Sequence, residues 1–360
     1  MNVSEILTCR LHNTGLSHSP FNRARDAVAH LGAVQAQDFT AAKWALGLRV
    51  KNSGSEDIEQ AFNNGEILRT HVMRPTWHFI LPEDIGWMLD LTAPRVKSFL
   101  TRSNLKIGLD DVLFEKSNTL IARALEGHTT LTRLELKTIL AKNGIVTDVR
   151  RLAHIIMRAE LDGLICSGPL RGKQFTYALL EERVKRTVRL NREKALEKLA
   201  RTYFTSHGPA QLQDFAWWSG LTETEAGYAL DRIRTGLKYI LHNGRTYWFF
   251  PSAKPSVPDS PPALLLSIYD EYTIAYHDRS DISDAHDIER MISMGNALTE
   301  VIILNGRVAG SWKRAFWNKT IKISLNPFRR LDRDEQEALE HEVTRYGNFF
   351  GIPAVLTGEP

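Results

Sequence analysis

One order of elements occurs twice in succession along this chain, and it constrains the fold more than any composition value. Residues 106–182 read as three helices and a hairpin. The helices cover about 111–127, 133–144 and 149–163, and the third puts Leu152, Ile155, Ile156 and Ala159 on one face. Thr130 or Thr132 is placed to cap the second helix, and Gly144 ends it. Residues 164–180 then read as strand, Gly-rich turn, strand. Residues 183–250 repeat the order. A basic helix over 184–204 leads, followed by a short helix with Pro209 near its start. A third helix carries Ala226, Ala229, Leu230, Ile233 and Leu237 on one face. The closing hairpin turns on Asn243-Gly244, a pair that favours the positive φ of a two-residue turn.

Three helices and a hairpin make the winged-helix layout. The expected fold class is therefore α+β, mainly helical, with tandem winged-helix modules at 106–182 and 183–250. The segment 1–105 reads as a mostly helical N-terminal region. In it Ala24, Ala27, Val28 and Leu31 share a helix face, Asp38 caps a second helix, and Pro82 sits near the start of a third. Between them 70–80 alternates as a strand, with Met73, Trp77 and Phe79 on one face and Arg74, Thr76 and His78 on the other. Residues 251–360 read as a Pro- and Ser-rich linker and a C-terminal α/β segment. That segment includes a hairpin at Asn305-Gly306 and a final helix.

The bulk numbers fit this reading. Hydrophobic residues make up 43% and charged residues 24% of the 360, ordinary values for globular domains. The formal charge of +4 permits an anionic partner without requiring one. Two cysteines, Cys9 and Cys166, make neither a disulfide framework nor a zinc cluster and suit a reducing compartment. With no signal peptide or membrane span legible, the expected location is cytoplasmic, at the nucleoid.

A winged helix lays its third helix in the DNA major groove, and Lys, Arg and helix N-termini meet the phosphates. Arg150, Arg151 and Arg158 on one third helix, and Arg232 and Arg234 on the other, are the candidate cations. Such modules also serve protein interactions, so the layout alone leaves a non-catalytic DNA-binding regulator open.

Five segments, in order along nearly the whole chain, resemble the winged-helix DNA glycosylases of the AlkZ and YcaQ type. They are VQAQDF at 34–39, LRTHVMRPTWHFILPEDIGWM at 68–88 and HGPAQLQDFAWWSGL at 207–221. LLSIYDEYTIAYHDRS at 265–280 and NGRVAGSWKR at 305–314 complete the set. The Gln35-Ala36-Gln37 tripeptide matches the Gln-x-Gln form of the AlkZ-like branch. The resemblance implies a C-shaped molecule that holds duplex DNA and removes alkylated purines, sometimes from interstrand crosslinks, without a metal or organic cofactor. A monomer that does not bind membranes is expected.

The chemistry of the residues agrees with that implication. A glutamine is neither acid nor base, so it can only orient water and stabilise charge through its amide dipole. Glycoside hydrolysis normally needs two carboxyl groups. A purine alkylated at N7 or N3 already carries positive charge and departs neutral without protonation. Gln35 and Gln37 are therefore the candidate catalytic pair, and they share a face only if the chain between them is not helical. Arg74, Thr76, His78, Asp270, Tyr272, Arg279, Arg307, Arg150 and Arg151 are candidate DNA- or lesion-contacting residues. Asp270 is also a candidate base, Asp278 and Arg279 a candidate ion pair, and Trp217 and Trp218 candidate core.

Overall fold

The computed structural model describes residues 2–185, 187–251, 263–284, 286–287, 289 and 299–357. Most of the expected Pro-rich linker lies outside the described residues. The chain is mixed α+β and divides into two compact units. The first comprises 1–59, 197–218 and 222–360, and the second 60–196 and 219–221.

The first unit opens with α1 (Val3–Asn13), α2 (Ala24–Leu31), the two-residue strand β1 (Val34–Gln35) and α3 (Phe39–Gly47). Ala24, Ala27, Val28 and Leu31 form the buried face of α2. The helix stops at Gly32, whose φ of +82° lies in the left-handed region; a Cβ there would also meet the Thr202 methyl at 2.8 Å. Asp38 caps α3 by accepting the Ala41 N–H at 2.9 Å, as expected. Helix α4 (Ser55–Asn63) leads out of this unit.

The second unit begins with β2 (Leu68–His71) and β3 (Trp77–Ile80), paired antiparallel. The single strand expected over 70–80 is thus corrected to two strands joined by a turn. The chain turns at 72–76, where Met73 takes φ +62° and the Arg74 and Thr76 amides bond back to carbonyls two residues earlier. Period-2 alternation does not distinguish one strand from two arms that meet at a tight turn. Next come α5 (Pro82–Lys106), α6 (Asp111–Leu125), β4 (Leu131–Thr132), α7 (Arg133–Lys142) and α8 (Val149–Leu161). The hairpin β5 (Ile165–Ser167) and β6 (Thr176–Leu179) and the short α9 (Leu180–Arg183) follow. Thr132 is the cap of α7, closed into a capping box with Glu135. Phe114, Ile121, Leu136, Leu140, Ile155 and Ile156 converge beneath the β4-β6-β5 sheet. Burying each such side chain contributes about 1.5–3 kcal/mol.

Helix α10 (Arg192–Ser206) starts later than the basic stretch suggests; residues 187–191 are not helical. Helices α11 (Leu212–Ser219) and α12 (Glu223–Ile233) and the hairpin β7 (Lys238–His242) and β8 (Arg245–Phe249) follow. Asn243 and Gly244 take φ +48° and +74°, the geometry a primed hairpin turn needs. The last segment contains β9 (Ala263–Leu266), α13 (Glu271–Ile274), β10 (Val301–Leu304), β11 (Arg307–Trp317), β12 (Thr320–Pro327), α14 (Arg333–Phe350) and β13 (Ala354–Leu356). Its five-stranded sheet runs β13-β12-β11-β10-β9, antiparallel except for the parallel β12–β13 pair. Trp44 of α3 anchors on this sheet: its indole donates to the Leu265 carbonyl at 2.7 Å, and its ring packs edge-on against Tyr346 and Phe349 of α14. Among the described residues no helix is long and apolar enough to cross a membrane.

Candidate active site

The Gln-x-Gln motif occupies the non-helical junction between α2 and α3 that two glutamines two apart require. Gln35 ends β1 and is only 7% exposed, whereas Gln37 is exposed. The junction is short because Gly32 terminates α2 and Asp38 immediately begins α3. Asp38 is committed to its cap and lies 3.5 Å from Arg314, which also pairs with Glu300 at 2.8 Å.

Behind the motif lies a carboxylate that sequence reasoning missed. Glu271 Oε1 accepts the backbone N–H of Gln35 at 2.9 Å, and its Oε2 accepts the Trp218 indole N–H at 2.9 Å. His207 Nε2 stands 3.5 Å from the same oxygen. Glu271 is 1% exposed. The sequence signal for it is a second charged residue, next to Asp270, inside the largely apolar run 264–276.

Asp270 does different work from that expected of a base. Both its oxygens pair with Arg49 at 2.8 Å, and its Oδ1 also caps α13 by accepting the Tyr272 N–H at 2.9 Å. Arg49 donates further to the carbonyls of Thr14 and Ala45. Both residues are buried, so Asp270 is a structural ion-pair partner, and the base assignment is corrected on that ground. Tyr272 is likewise buried; its hydroxyl donates to the Gly306 carbonyl at 2.7 Å, and burial pushes its pKa up, so it stays neutral.

The segments 207–221 and 265–280 interlock. Tyr203 donates to the Ala275 carbonyl at 2.9 Å, Tyr276 to that of His207 at 2.8 Å, and Trp217 to that of Ile274 at 3.0 Å. Asp214 accepts the His277 N–H at 2.9 Å, and burial raises its carboxyl above the ordinary range against the pull of Arg10. Trp218 is core, as expected, but Trp217 is 43% exposed; Tyr272 and Tyr276 are fully buried. The expected Asp278–Arg279 pair does not form: Asp278 pairs with Arg245 at 2.7 Å, and Arg279 donates to the Thr273 carbonyl at 2.8 Å. Arg307 pairs with Asp284 at 2.6 Å and donates to the Asp281 carbonyl at 3.3 Å.

The second unit holds the remaining candidates. Arg74 and Thr76 lie in the β2–β3 turn, half-buried. His78 is fully buried with Nδ1 2.9 Å from the Thr76 carbonyl. Burial, and then the Arg74 charge, hold its pKa well below the ordinary value and keep the ring neutral. Arg150 is exposed on the first turn of α8, while Arg151 reaches back to the Ile107 carbonyl at 2.7 Å. Arg158 is tied to Asp111 and Asp162 at about 3 Å.

Comparisons with known proteins agree on one family. The family model for AlkZ-like DNA glycosylases matches residues 28–349. An interstrand DNA cross-link repair glycosylase of Streptomyces sahachiroi is 23% identical over 346 residues, 91% of each chain. The structure of the Streptomyces sahachiroi DNA glycosylase AlkZ covers 99% of this chain and 100% of its own, with a TM-score of 0.80 and 22% identity, a likeness of fold. The chain belongs to the AlkZ-like DNA glycosylase family.

Proposed function

We propose that this protein is a monofunctional DNA glycosylase that hydrolyses the N-glycosidic bond of cationic N7- or N3-alkylpurines in duplex DNA. The observation that carries the substrate class is how the carboxylates nearest the motif are used. Asp38 caps α3, Asp270 is clamped by Arg49, and Glu271 holds backbone and indole N–H groups. A lesion that is already cationic departs with the bonding electron pair as a neutral base and needs no acid. The remaining work is to aim water at C1′ and tolerate an oxocarbenium-like sugar, which amide dipoles can do. The attacking water gives its proton to solvent, leaving an abasic site for base excision repair.

In this reading Gln35 and Gln37 orient the water. The helix-helix-helix-hairpin sets at 106–182 and 183–250 act as winged helices that bind the DNA backbone, with exposed Arg150 on α8 meeting phosphate. The segment 1–105 carries the motif, and 251–360 carries the C-terminal α/β segment that supplies Glu271. Arg74 and Thr76 contact the strand near the lesion. The molecule works as a monomer, and the named activity of the Streptomyces relative makes crosslinked purines a natural further substrate.

The test is a duplex bearing one N7-methylguanine, incubated with protein and then treated with alkali to cleave abasic sites. Lesion-dependent cleavage that Gln35→Ala and Gln37→Ala abolish is the expected result. Intact duplex binding without cleavage of methylated or crosslinked DNA would move the assignment to a non-catalytic regulator.

A further inference from the structure

Gln35 sits on a two-residue strand, yet its main chain is bonded to a side chain 236 positions away. We propose that Glu271 is a positioning residue for glycosidic hydrolysis. It fixes the backbone of Gln35 and, through it, the amide that orients water. The inference rests on the catalytic assignment of Gln35 made above.

Three observations carry it. Burying a carboxylate is strongly unfavourable unless donors satisfy it. Here the two oxygens divide between two N–H donors on different elements: Gln35 of β1 and Trp218 of α11, each at 2.9 Å. Those donors are themselves located. The Trp218 indole packs with the rings of Tyr203 and His207. Glu271 is the first residue of α13, directly after Asp270, which Arg49 clamps to α3 through the Ala45 carbonyl. The position of the Gln35 backbone is therefore read from α3, α11 and α13 together. An error of about 1 Å in a group that orients a nucleophile costs on the order of a hundredfold in rate.

The chemistry of the pair supplies a specific test. In Glu271→Gln the side chain keeps its shape but has one acceptor oxygen, so its NH2 must face either Gln35 N–H or Trp218 N–H. Trp218→Phe removes the indole donor. In the double variant the Gln oxygen returns to Gln35 N–H, and the NH2 occupies the vacated side next to His207. Single-turnover excision of N7-methylguanine, duplex affinity and amide hydrogen exchange of 34–36 are measured for each variant and for Gln35→Ala.

The expected result has three parts. Excision falls about a hundredfold in Glu271→Gln at unchanged duplex Kd. Exchange at 34–36 accelerates in that variant. Both recover toward wild type in Glu271→Gln/Trp218→Phe, which separates positioning from general loss of packing. Wild-type excision in Glu271→Gln while Gln35→Ala is inactive overturns the positioning role and spares Gln35. Restored exchange without restored excision in the double variant also overturns it. A wild-type protein inert on both this lesion and crosslinked DNA, or a fully active Gln35→Ala, overturns the Gln35 assignment and the positioning role together.

Discussion

Removing Arg49 gives the sharpest stability test, because the structure isolates what is lost. Its guanidinium makes a two-fold contact with Asp270, both distances 2.8 Å, and the side chains are 1% and 0% exposed. In Arg49→Ala the Asp270 carboxylate stays buried without its counter-charge. The Thr14 and Ala45 carbonyls also lose a donor. Breaking one side of a buried pair costs about 3–5 kcal/mol, out of a total of about 5–15 kcal/mol for a folded protein. Asp270→Ala should cost a similar amount, plus about 1 kcal/mol for the lost cap of α13. The two losses cannot add, since each removes the same interaction; the double variant should recover about 0.5–3 kcal/mol of coupling. Urea unfolding followed by tryptophan fluorescence measures this. With a slope near 3 kcal/mol per molar, each single variant lowers the midpoint by roughly 1–2 M. Strictly additive losses, or a wild-type midpoint in Arg49→Ala, would refute the reasoning. Unchanged stability with lost excision in Asp270→Asn would return Asp270 to the role of base.

Three further outcomes are expected. A Cβ on Gly47 would clash with the Phe349 ring, so Gly47→Ala should destabilise by about 1–3 kcal/mol despite alanine's better helix propensity. In a Phe349→Ala background the same change should become neutral or stabilising; stabilisation in the wild-type background would count against it. His78 and His30 are held below their ordinary pKa first by burial, so the unfolded chain binds protons that the native state refuses. Stability contributed this way is complete above about pH 6.5 and is lost as pH falls below it, by at most about 1.4 kcal/mol per pH unit per histidine. The urea midpoint should drop between pH 7.5 and 5.5, and less so in His78→Gln; equal drops in both proteins contradict the assignment. If α8 meets phosphate, Arg150→Ala should weaken duplex binding equally for all sequences and reduce the log–log salt slope by about 0.9. An unchanged slope removes Arg150 from the interface.

The legible parts of this chain were those set by short-range physics. Capping chemistry at Asp38 and Thr132, the apolar periodicity of α2 and α8, and the Asn-Gly turns at 243 and 305 depend on residues within a few positions of one another. The non-helical backbone at Gln35-Ala36-Gln37 was legible too, because one helix ends before the motif and Asp38 begins the next. The turn at 72–76 was not. Alternation there survives a reversal of direction, and the positive φ falls on Met73 rather than on a glycine.

The partners of the charged residues depended on contacts far apart in sequence. Nothing local tells Asp270 from Glu271 as the carboxylate beside the motif. They are adjacent, and the backbone of α13 sends one to Arg49 and the other to Gln35 and Trp218, partners 53 to 236 positions away. The pairing of Asp278 with Arg245 rather than with Arg279 has the same origin. The sequence alone determined most of the helices and hairpins, the caps at Asp38 and Thr132, and the place of the Gln-x-Gln motif between two helices. Only the tertiary structure decided which buried charge faces which donor. Burial makes an unmatched charge so costly that packing of distant segments, and not proximity along the chain, selects its partner.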